Sequence, residues 1–315
     1  MQIYRTAAEA AQHLGAAVIT IGNFDGIHIG HQAIFARVRE LASARNASAV
    51  ALTFDPHPVQ FFRPEEAPVR LTPGEQKYEA MSDYGLDAVV AIAFDVALAS
   101  MTPEEFVDQV LHQALKATVV VVGEGFRFGK RRAGTTEVLA ELGARYGFEC
   151  EVCGPIEFEG EVVSSTRVRS AVLSGDVARA GAMLGRPYRI VGEVIHGDAR
   201  GRELGFPTAN VLPKNEALPA DGIYATRLHV EGMGSFEAVT NVGRRPTFGG
   251  GDRLVETFVL DVGQPGGFDI YGRVVGVDFL EFLRDDRRFD SAEALIEQMH
   301  QDVADARVFL ARGQA

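Results

Sequence analysis

Five short apolar runs alternate with helical stretches up to about residue 184, and this alternation limits the fold more than any other feature. The predicted strands are 16–21, 49–54, 88–94, 118–122 and 149–152. The predicted helices between them include 32–45, 73–84, 103–115 and 136–146. Apolar strands separated by helices predict an α/β fold with a doubly wound, parallel sheet, which binds ligands at the carboxyl ends of its strands.

After residue 186 the pattern changes to shorter strand-like runs that are separated by glycine and proline turns. Strands are predicted over 188–195, 222–229, 237–242, 257–262 and 274–282, and a helix over 291–310 with Ser291 as its N-cap. This pattern predicts a small antiparallel β-barrel or sandwich followed by a C-terminal helix. We therefore expect two domains, 1–186 and 187–315.

Composition and charge exclude several classes of protein. The 315 residues, 46% of them hydrophobic, are enough to build a core for each of two domains. The net charge of −12 argues against a general nucleic-acid surface. Apolar runs stay below the ~20 residues that span a bilayer, and residues 1–14 differ from a signal peptide. We expect a cytoplasmic protein with neither a nucleic-acid nor a membrane partner.

The two cysteines, Cys150 and Cys153, form a lone C-x-x-C motif at the end of a predicted strand. A zinc site would need two more soft ligands at suitable spacing, and the sequence offers none. A redox pair is the alternative, but the motif lacks the helix start that lowers a thiol pKa. We expect two small buried side chains.

Basic residues are grouped although the chain is acidic. Such groups are natural places for a polyanionic small ligand, and solvated loop charges are the other interpretation. The groups are Arg127, Lys130, Arg131 and Arg132, then Arg167 and Arg169.

The segment 22–31, G-N-F-D-G-I-H-I-G-H, joins the predicted strand 16–21 to the predicted helix 32–45. Unpaired backbone N–H groups and the helix dipole at such a turn favour a phosphate. His28 and His31 are three residues apart at the helix start, so both imidazoles can point towards one phosphate. Two histidines at a helix start are more often structural than catalytic when nothing accompanies them.

Three further segments fall where predicted strands end or a helix begins. They are T-F-D-P-H-P at 53–58, G-E-G-F-R-F-G at 123–129 and S-S-T-R-V-R at 164–169. The hydroxyls of the third segment could hold a triphosphate while its arginines neutralise the charge, although a Ser-Ser-Thr run is usually only a helix cap. Because one crevice could gather all these segments, we favour a functional interpretation.

The second half contains no P-loop motif, so an ATP-dependent kinase there must be of another type. The glycine-rich string 192–210 offers a phosphate cradle, because glycines let backbone amides approach an anion closely. Thr208 and Asn210 at its end present hard oxygen ligands that suit Mg²⁺. Taken alone, the string also fits a turn-rich hairpin.

Four motifs of the first half are G-N-F-D-G-I-H-I-G-H, T-F-D-P-H-P, V-V-G-E-x-F-x-F-G and S-S-T-R-V-R. Together they resemble the FAD synthetase half of bacterial bifunctional riboflavin kinase/FAD synthetases, within the nucleotidylyltransferase superfamily. The resemblance implies attack by the FMN phosphate on the α-phosphorus of ATP. It assigns catalysis and phosphate binding to His28, His31, Arg169, Ser164 and Ser165, the nucleotide turn to Gly22, Asn23 and Asp25, and flavin contacts to Phe62 and Phe128. One departure is Gly125, where the family is expected to have Asp or Asn.

Four motifs of the second half are G-E-V-I-H-G…G-R-E-L-G-F-P-T-A-N, D-G-I-Y-A, N-V-G-R-R-P-T-F and V-E-T-F. Together they resemble the riboflavin kinase barrel. The resemblance implies that Glu256 is the catalytic glutamate that receives the proton of the ribityl hydroxyl. It also assigns Mg²⁺-ATP and its phosphates to Gly201, Thr208 and Asn210, and flavin to Arg284. Asp286 stands where Glu is more usual in the family.

The implied protein is a two-domain enzyme that phosphorylates riboflavin to FMN and then adenylates FMN to FAD. Its substrates would be riboflavin, FMN and ATP, with Mg²⁺ as the cofactor. Two alternatives stay open at this point. One is a nucleotidylyltransferase for another phosphorylated small molecule, with the barrel as a specificity module. The other is a flavin-binding regulatory protein that has lost catalysis.

Overall fold

A computed structural model describes residues 1–196, 206–244, 253–261 and 269–312. The chain divides into two compact units, Met1–Ser165 and Thr166–Ala315. The expected division near residue 186 differs in where it assigns the two helices that precede the barrel, and it stays a prediction. Within the described residues, no helix is both long and apolar enough to span a membrane.

The first unit contains a six-stranded parallel sheet. Its strands are β1 (Gln2–Tyr4), β2 (Ala17–Ile21), β3 (Ser48–Asp55), β4 (Ala88–Ala93), β5 (Ala117–Gly123) and β6 (Glu149–Cys153), in the order β1-β4-β3-β2-β5-β6. The predicted parallel, doubly wound sheet is confirmed. β1 was not predicted, because three residues are too few to show a period.

Helices cover both faces of this sheet. They are α1 (Ala7–Ala11), α2 (Ile29–Arg45), α3 (Pro58–Phe62), α4 (Glu75–Ser82), α5 (Val96–Ser100), α6 (Pro103–Phe106) and α7 (Thr136–Tyr146). α6 continues as a π-helix over Val107–Ala114, so the predicted helix 103–115 is present with a change of winding. α2 begins three residues earlier than predicted, because Gly30 lies inside its first turn rather than before it.

Alternate side chains of the strands enter two separate cores, one on each face of the sheet. On one face, Ile19 packs with residues of the π-helix such as Leu111. On the other face, Val18 packs with residues of α2 and α4 such as Phe35 and Met81. All of these side chains are fully buried. Burial on both faces explains why these strands are continuous apolar runs rather than alternating ones.

The strand order creates a switch point at β2. The chain proceeds from β2 to β3 and β4 on one side, and then returns to place β5 on the other side of β2. Ligands of open α/β sheets bind in the crevice beyond the carboxyl ends of the strands at such a point. The loops after β3, β2 and β5 follow adjacent strands and are those that the sequence singled out. After β6, two short strands, β7 (Glu157–Phe158) and β8 (Glu161–Val162), form a hairpin.

Both thiols of the C-x-x-C motif are free and partly buried on β6. Burial raises the pKa of Cys150 and of Cys153. A raised pKa keeps a thiol protonated and unreactive, which supports packing rather than redox chemistry.

The second unit contains a closed antiparallel barrel, as the sequence predicted. Two helices, α8 (Ser165–Leu173) and α9 (Val177–Leu184), precede it, with α8 starting at the last residue of the first unit. The strands are β9 (Tyr188–Ile195), β10 (Thr208–Pro213), β11 (Gly222–Val230), β12 (Gly234–Arg244), β13 (Arg253–Val259) and β14 (Val274–Arg284), in the closed order β10-β13-β12-β11-β14-β9. Helix α10 (Ala292–Arg312) follows.

Two strands of the barrel differ from the prediction. β10 was not predicted as a strand, because its residues were interpreted as the end of a phosphate cradle. β13 begins at Arg253 and ends at Val259, whereas the prediction started at residue 257 and ran to residue 262, which lies outside the described residues. The start was missed because Arg253 and Glu256 interrupt the apolar pattern.

Helix α10 packs on the outer face of the barrel. Ala306 and Leu310 of α10 join Ala225 and Val239 of the barrel strands in one buried apolar cluster. The Ser291 hydroxyl accepts a hydrogen bond from the Ala294 N–H at 3.2 Å, so the predicted N-cap is confirmed. This helix therefore marks which face of the neighbouring strands looks outward.

Candidate functional site

The two predicted histidines lie against each other at the start of α2. His28 is the N-cap residue and His31 lies in the first turn, and their ring centroids are 3.6 Å apart with the planes at 20°. The Phe24 ring contacts His31 edge-on at 5.3 Å. Among the described residues, the Nδ1 atoms of both rings are buried without a hydrogen-bond partner. Buried polar atoms without partners are rare in folded proteins and mark places where a ligand can supply the contact.

Both imidazoles are neutral in the free protein. Burial lowers the pKa of His28 to about 4, although the Asp25 carboxylate opposes the shift. Burial and the neighbouring His28 lower the pKa of His31 well below its ordinary value. A neutral imidazole still carries one N–H donor, so the pair can donate hydrogen bonds to phosphate oxygens.

The turn that leads to the histidines has a strained backbone. Phe24 and Ile27 have positive φ angles of 51° and 48°, and Ile27 is β-branched, which makes that conformation unusual. Such strain persists only where surrounding contacts enforce it, and it concentrates at functional sites. Gly30 also has a steric role, because a β-carbon there would lie 3.1 Å from the His28 ring.

Hydrogen bonds of the Asp25 carboxylate fix the shape of this turn. Its carboxylate accepts hydrogen bonds from the N–H groups of Leu71 and Thr72, each at 3.0 Å. In return, the Thr72 hydroxyl accepts from the Gly26 N–H at 2.9 Å. The Asp25 carboxylate therefore holds the shape of the turn, as expected for a residue that shapes the nucleotide turn. Direct contact between Asp25 and ATP stays a prediction.

The rest of the turn is fixed to the neighbouring strand. Gly22 donates its N–H to the Leu52 carbonyl at 3.1 Å, and the Asn23 carbonyl accepts from the Thr53 hydroxyl at 3.4 Å. Asn23 lines a small recess that also contains Phe54 of β3. The predicted nucleotide turn is thus held to β3, and the roles of Gly22 and Asn23 toward ATP stay predictions.

The two aromatic residues predicted to contact flavin lie in different surroundings. Phe62 is 61% exposed at the end of α3 and forms edge contacts with Phe61 and Phe94. Phe128 is only 7% exposed and packs against Phe106 and Phe126. Phe62 therefore has free surface for a flavin ring, whereas Phe128 is largely occupied by core contacts; both roles stay predictions.

The remaining phosphate-site residues surround the start of α8. The Ser165 hydroxyl donates to the Asp25 carbonyl at 2.8 Å, which ties the helix start to the histidine turn. Ser164 is half-buried beside it, and Arg169 lies farther along α8, within the second unit. Their contacts with polyphosphate stay predictions. Gly125 has a φ of +75° in the loop after β5.

A row of three polar residues crosses the barrel. Glu256 of β13 pairs directly with Asn210 of β10 on one side and with Asn241 of β12 on the other. Directly opposite residues point to the same face of a sheet, with β-carbons about 4.5–5.5 Å apart. Phe258, two positions after Glu256, packs in the cluster beneath α10, so the row lies on this outer face.

The row fits a site for Mg²⁺ and phosphate. Among the described residues, the Oδ1 atoms of Asn210 and Asn241 are buried without a hydrogen-bond partner. Thr208 precedes Asn210 by two positions and therefore shares its face. Amide, hydroxyl and carboxylate oxygens are the ligands that Mg²⁺ prefers, with substrate phosphates and water completing its shell. Gly201, predicted to contact phosphate, lies outside the described residues.

Arg284, predicted to contact flavin, has a structural partner. Its guanidinium donates two hydrogen bonds to the Asp302 carboxylate on α10, at 2.7 Å each, and a third to the Asp285 carbonyl. Both side chains of this ion pair are largely buried. Arg284 therefore anchors α10 to β14, and its role toward flavin stays a prediction. The Asp286 carboxylate would approach a β-carbon at Gly243 to 3.9 Å.

Comparisons with known proteins agree with these two constellations. Residues 10–167 match the FAD synthetase family, and residues 184–310 match the riboflavin kinase family. A bifunctional riboflavin kinase/FMN adenylyltransferase from Pseudomonas fluorescens is 41% identical over 95% of this chain and 94% of its own. The protein of that name from Escherichia coli (strain K12) is 36% identical over 93% and 92%. The chain belongs to the bifunctional riboflavin kinase/FMN adenylyltransferase family.

The family membership confirms the predicted activities and their order along the chain, with the nucleotidyltransferase first and the kinase second. It removes the alternative of a nucleotidylyltransferase for another small molecule. A crystal structure described as a macrolide-efflux protein from Streptococcus pneumoniae matches 98% of this chain and 99% of its own, with a TM-score of 0.85 and 30% identity. This likeness supports the fold of both units.

Sequence reasoning missed two residues that the structure places at these sites. Asn241 begins the N-V-G-R-R-P-T-F motif, but its contact with the row depends on the register between β12 and β13. Lys77 is buried beside Asn23 and Asp25, although a lysine on a short helix normally faces solvent. The motif was a usable signal for Asn241, whereas Lys77 had none.

Proposed function

We propose that the chain makes FAD from riboflavin through two separate ATP sites, one in residues 1–186 and one in residues 187–315. The observation that carries this proposal is two pairs of buried polar atoms that have no hydrogen-bond partner among the described residues. They are two imidazole nitrogens at His28 and His31, and two amide oxygens at Asn210 and Asn241. Leaving such groups unpaired costs free energy, so each pair is best explained by a ligand that satisfies it.

The first site suits adenylyl transfer. The FMN phosphate attacks the α-phosphorus of ATP, and the bond to pyrophosphate breaks as the new bond forms. Because a phosphate nucleophile is already anionic near pH 7, the step needs alignment and charge stabilisation rather than a strong base. His28 and His31 donate hydrogen bonds to the ATP phosphates, and Arg169, Ser164 and Ser165 bind the polyphosphate.

The barrel site suits phosphorylation of an alcohol. The primary ribityl hydroxyl of riboflavin attacks the γ-phosphorus, the bond to ADP breaks, and the hydroxyl proton leaves. Glu256 accepts that proton, because a carboxylate is the base that the row provides. Asn210 and Asn241 flank Glu256 in register and keep its surroundings polar.

Mg²⁺ belongs to the proposal at the barrel. Thr208 and Asn210 would hold it, since they present a hydroxyl and an unpartnered buried amide oxygen on one face. When bound, the ion neutralises charge on the transferred phosphoryl group. A cluster of three His, Cys, Asp or Glu side chains is absent from the described residues, and a magnesium site completed by phosphates does not need one.

The remaining predictions are part of the same proposal. We place the adenylyltransferase in residues 1–186 and the kinase in residues 187–315. The net charge of −12 supports small-molecule substrates rather than nucleic acid, and a flavin-producing enzyme that uses ATP fits the cytoplasm.

Two alanine variants test the two-site proposal. His28→Ala is expected to leave FMN formation intact and to stop FAD formation. Glu256→Ala is expected to stop FMN formation while FAD is still made when FMN is supplied. Chromatography of flavin products over time, with ATP, Mg²⁺ and either riboflavin or FMN as the flavin supplied, measures each step. If both substitutions abolished both steps equally in folded protein, a single shared site would replace the two.

A further inference from the structure

Lys77 is a buried cation beside the first site that the mechanism above does not use. It lies on α4 and is 9% exposed, which is uncommon for a lysine. Its ammonium donates to the Thr53 hydroxyl at 3.2 Å, and that hydroxyl donates to the Asn23 carbonyl at 3.4 Å. Lys77 thus connects α4 through the end of β3 to the turn that carries His28.

The recess around Lys77 contains charges of both signs. Its lining includes Asn23, Asp25, Asp55, His57 and Arg70. Burial lowers the pKa of Lys77, whereas the carboxylates of Asp55 and Asp25 favour its charged form and oppose that shift; Arg70 and Arg5 act with burial. The Tyr78 hydroxyl approaches the Asp55 carboxylate at 3.5 Å.

We propose that Lys77 is a positioning residue for adenylyl transfer: its ammonium compensates Asp25 and Asp55 and holds β3 to the turn beside which the phosphate substrates bind. The inference rests on the proposed function of this unit. ATP and FMN are both polyanions, and the carboxylates of Asp25 and Asp55 in this recess would repel them more strongly if the charge of Lys77 were removed.

Lys77→Met removes the charge and keeps most of the side-chain volume. We expect kcat/KM for FAD formation to fall about tenfold or more, through higher KM values for FMN and ATP, because like charges then face the substrates. Lys77→Arg keeps the charge and is expected to recover most of the loss. Lys116→Met, at an exposed lysine before β5, is the matched control and is expected to leave both activities unchanged. The riboflavin kinase rate of each sample reports intact barrel function.

The deciding variant is the double substitution Lys77→Met with Asp55→Asn. Removing one negative charge should restore kcat/KM to within about threefold of the unmodified protein if Lys77 acts by compensation. Failure to restore it in folded protein, or a Lys77→Met variant within twofold of the original, overturns the inference.

Asp55→Asn alone keeps the test decisive if Lys77→Met does not fold. With Lys77 retained, the KM for FMN is expected to fall, and an unchanged or higher KM overturns the inference. Failure of the proposed function has a different signature. In that case the unmodified protein forms no FAD, or His28→Ala still forms it, whatever residue 77 is.

Discussion

The two sites differ in how the chain builds them. The histidine pair of the first candidate site comes from residues close together in sequence, His28 and His31 at the start of α2. The barrel site depends on strand register, which brings Asn210, Glu256 and Asn241 into one row from three strands. The comparison teaches that a motif can indicate a local site outright, whereas a cross-strand site becomes visible only when the pairing is known.

The chemical demands of the two reactions follow the same division. The first reaction uses a nucleophile that is already ionised, and its site offers neutral imidazoles rather than a base. The second uses a neutral hydroxyl, and its row is centred on a carboxylate. Each proposed site therefore contains the kind of group that its nucleophile requires.

The largest expected effect is a loss of barrel stability on substitution in α10, which would separate the kinase from the adenylyltransferase. Asp302→Ala leaves the Arg284 guanidinium largely buried without its carboxylate partner, which should destabilise the barrel by about 3 kcal/mol. Denaturant unfolding followed by circular dichroism, together with loss of kinase activity, measures the change. FAD formation from supplied FMN should persist at denaturant concentrations that abolish the kinase.

Asp305→Ala is the control on the same helix, because its exposed carboxylate accepts only a surface hydrogen bond from Gln301. It is expected to change stability by less than about 0.5 kcal/mol. Equal losses in the two variants would mean that the ion pair to Arg284 has no special role.

A smaller effect concerns pH and the first unit. The ordinary pKa of histidine is 6.5 and that of His28 is about 4, so between these values the unfolded chain binds more protons than the native one. The stability contribution of neutral His28 is therefore complete above pH 6.5 and is lost as the pH falls toward 4. The expected slope is about 1.4 kcal/mol per pH unit for this histidine.

The measurement is the free energy of unfolding of the first unit between pH 4 and pH 7. His28→Asn should lower the slope, because the substituted side chain does not titrate, and the slope that remains includes that of His31, whose pKa burial also lowers. If the slope of the His28 variant matched that of the original protein, His28 would not be a buried neutral group.

The smallest effect is expected at Gly125. This residue has a φ of +75° and open space where a β-carbon would lie, a conformation that asparagine tolerates better than most side chains. Gly125→Asn should therefore fold normally and raise kcat/KM for FAD formation about threefold, the value of one modest hydrogen bond. Gly125→Ala lacks the amide and tolerates the positive φ less well than asparagine, so an equal kcat/KM in both variants would contradict a polar contact.

Much of the fold could be predicted because its cores impose simple periods. Strands buried on both faces gave continuous apolar runs, and α7 was predicted over the residues it occupies. β10 was missed because its polar residues Thr208 and Asn210 point to the site rather than to a core. The π-helix was missed because a change in winding keeps the helical spacing of apolar residues almost intact.

The sites were predictable where residue type alone indicates chemistry. The spacing of His28 and His31 predicted that both imidazoles can point the same way, and the structure places the two rings side by side. The resemblance to the family supplied Glu256, whose role stays a prediction. The hydrogen bonds that join Thr72 to Asp25 and Gly26 could not be predicted, since they connect segments that are distant in sequence. The burial of Lys77 was equally hidden, because its amphipathic helix is short and its partner Thr53 lies on another element.

Gly30 adds a steric requirement to the H-x-G-H pattern, beyond its two imidazoles. The missing side chain at the third position is what allows the first ring to fold back over the helix and meet the second. In the design of a similar turn on another scaffold, glycine at this position would therefore be kept together with the two histidines.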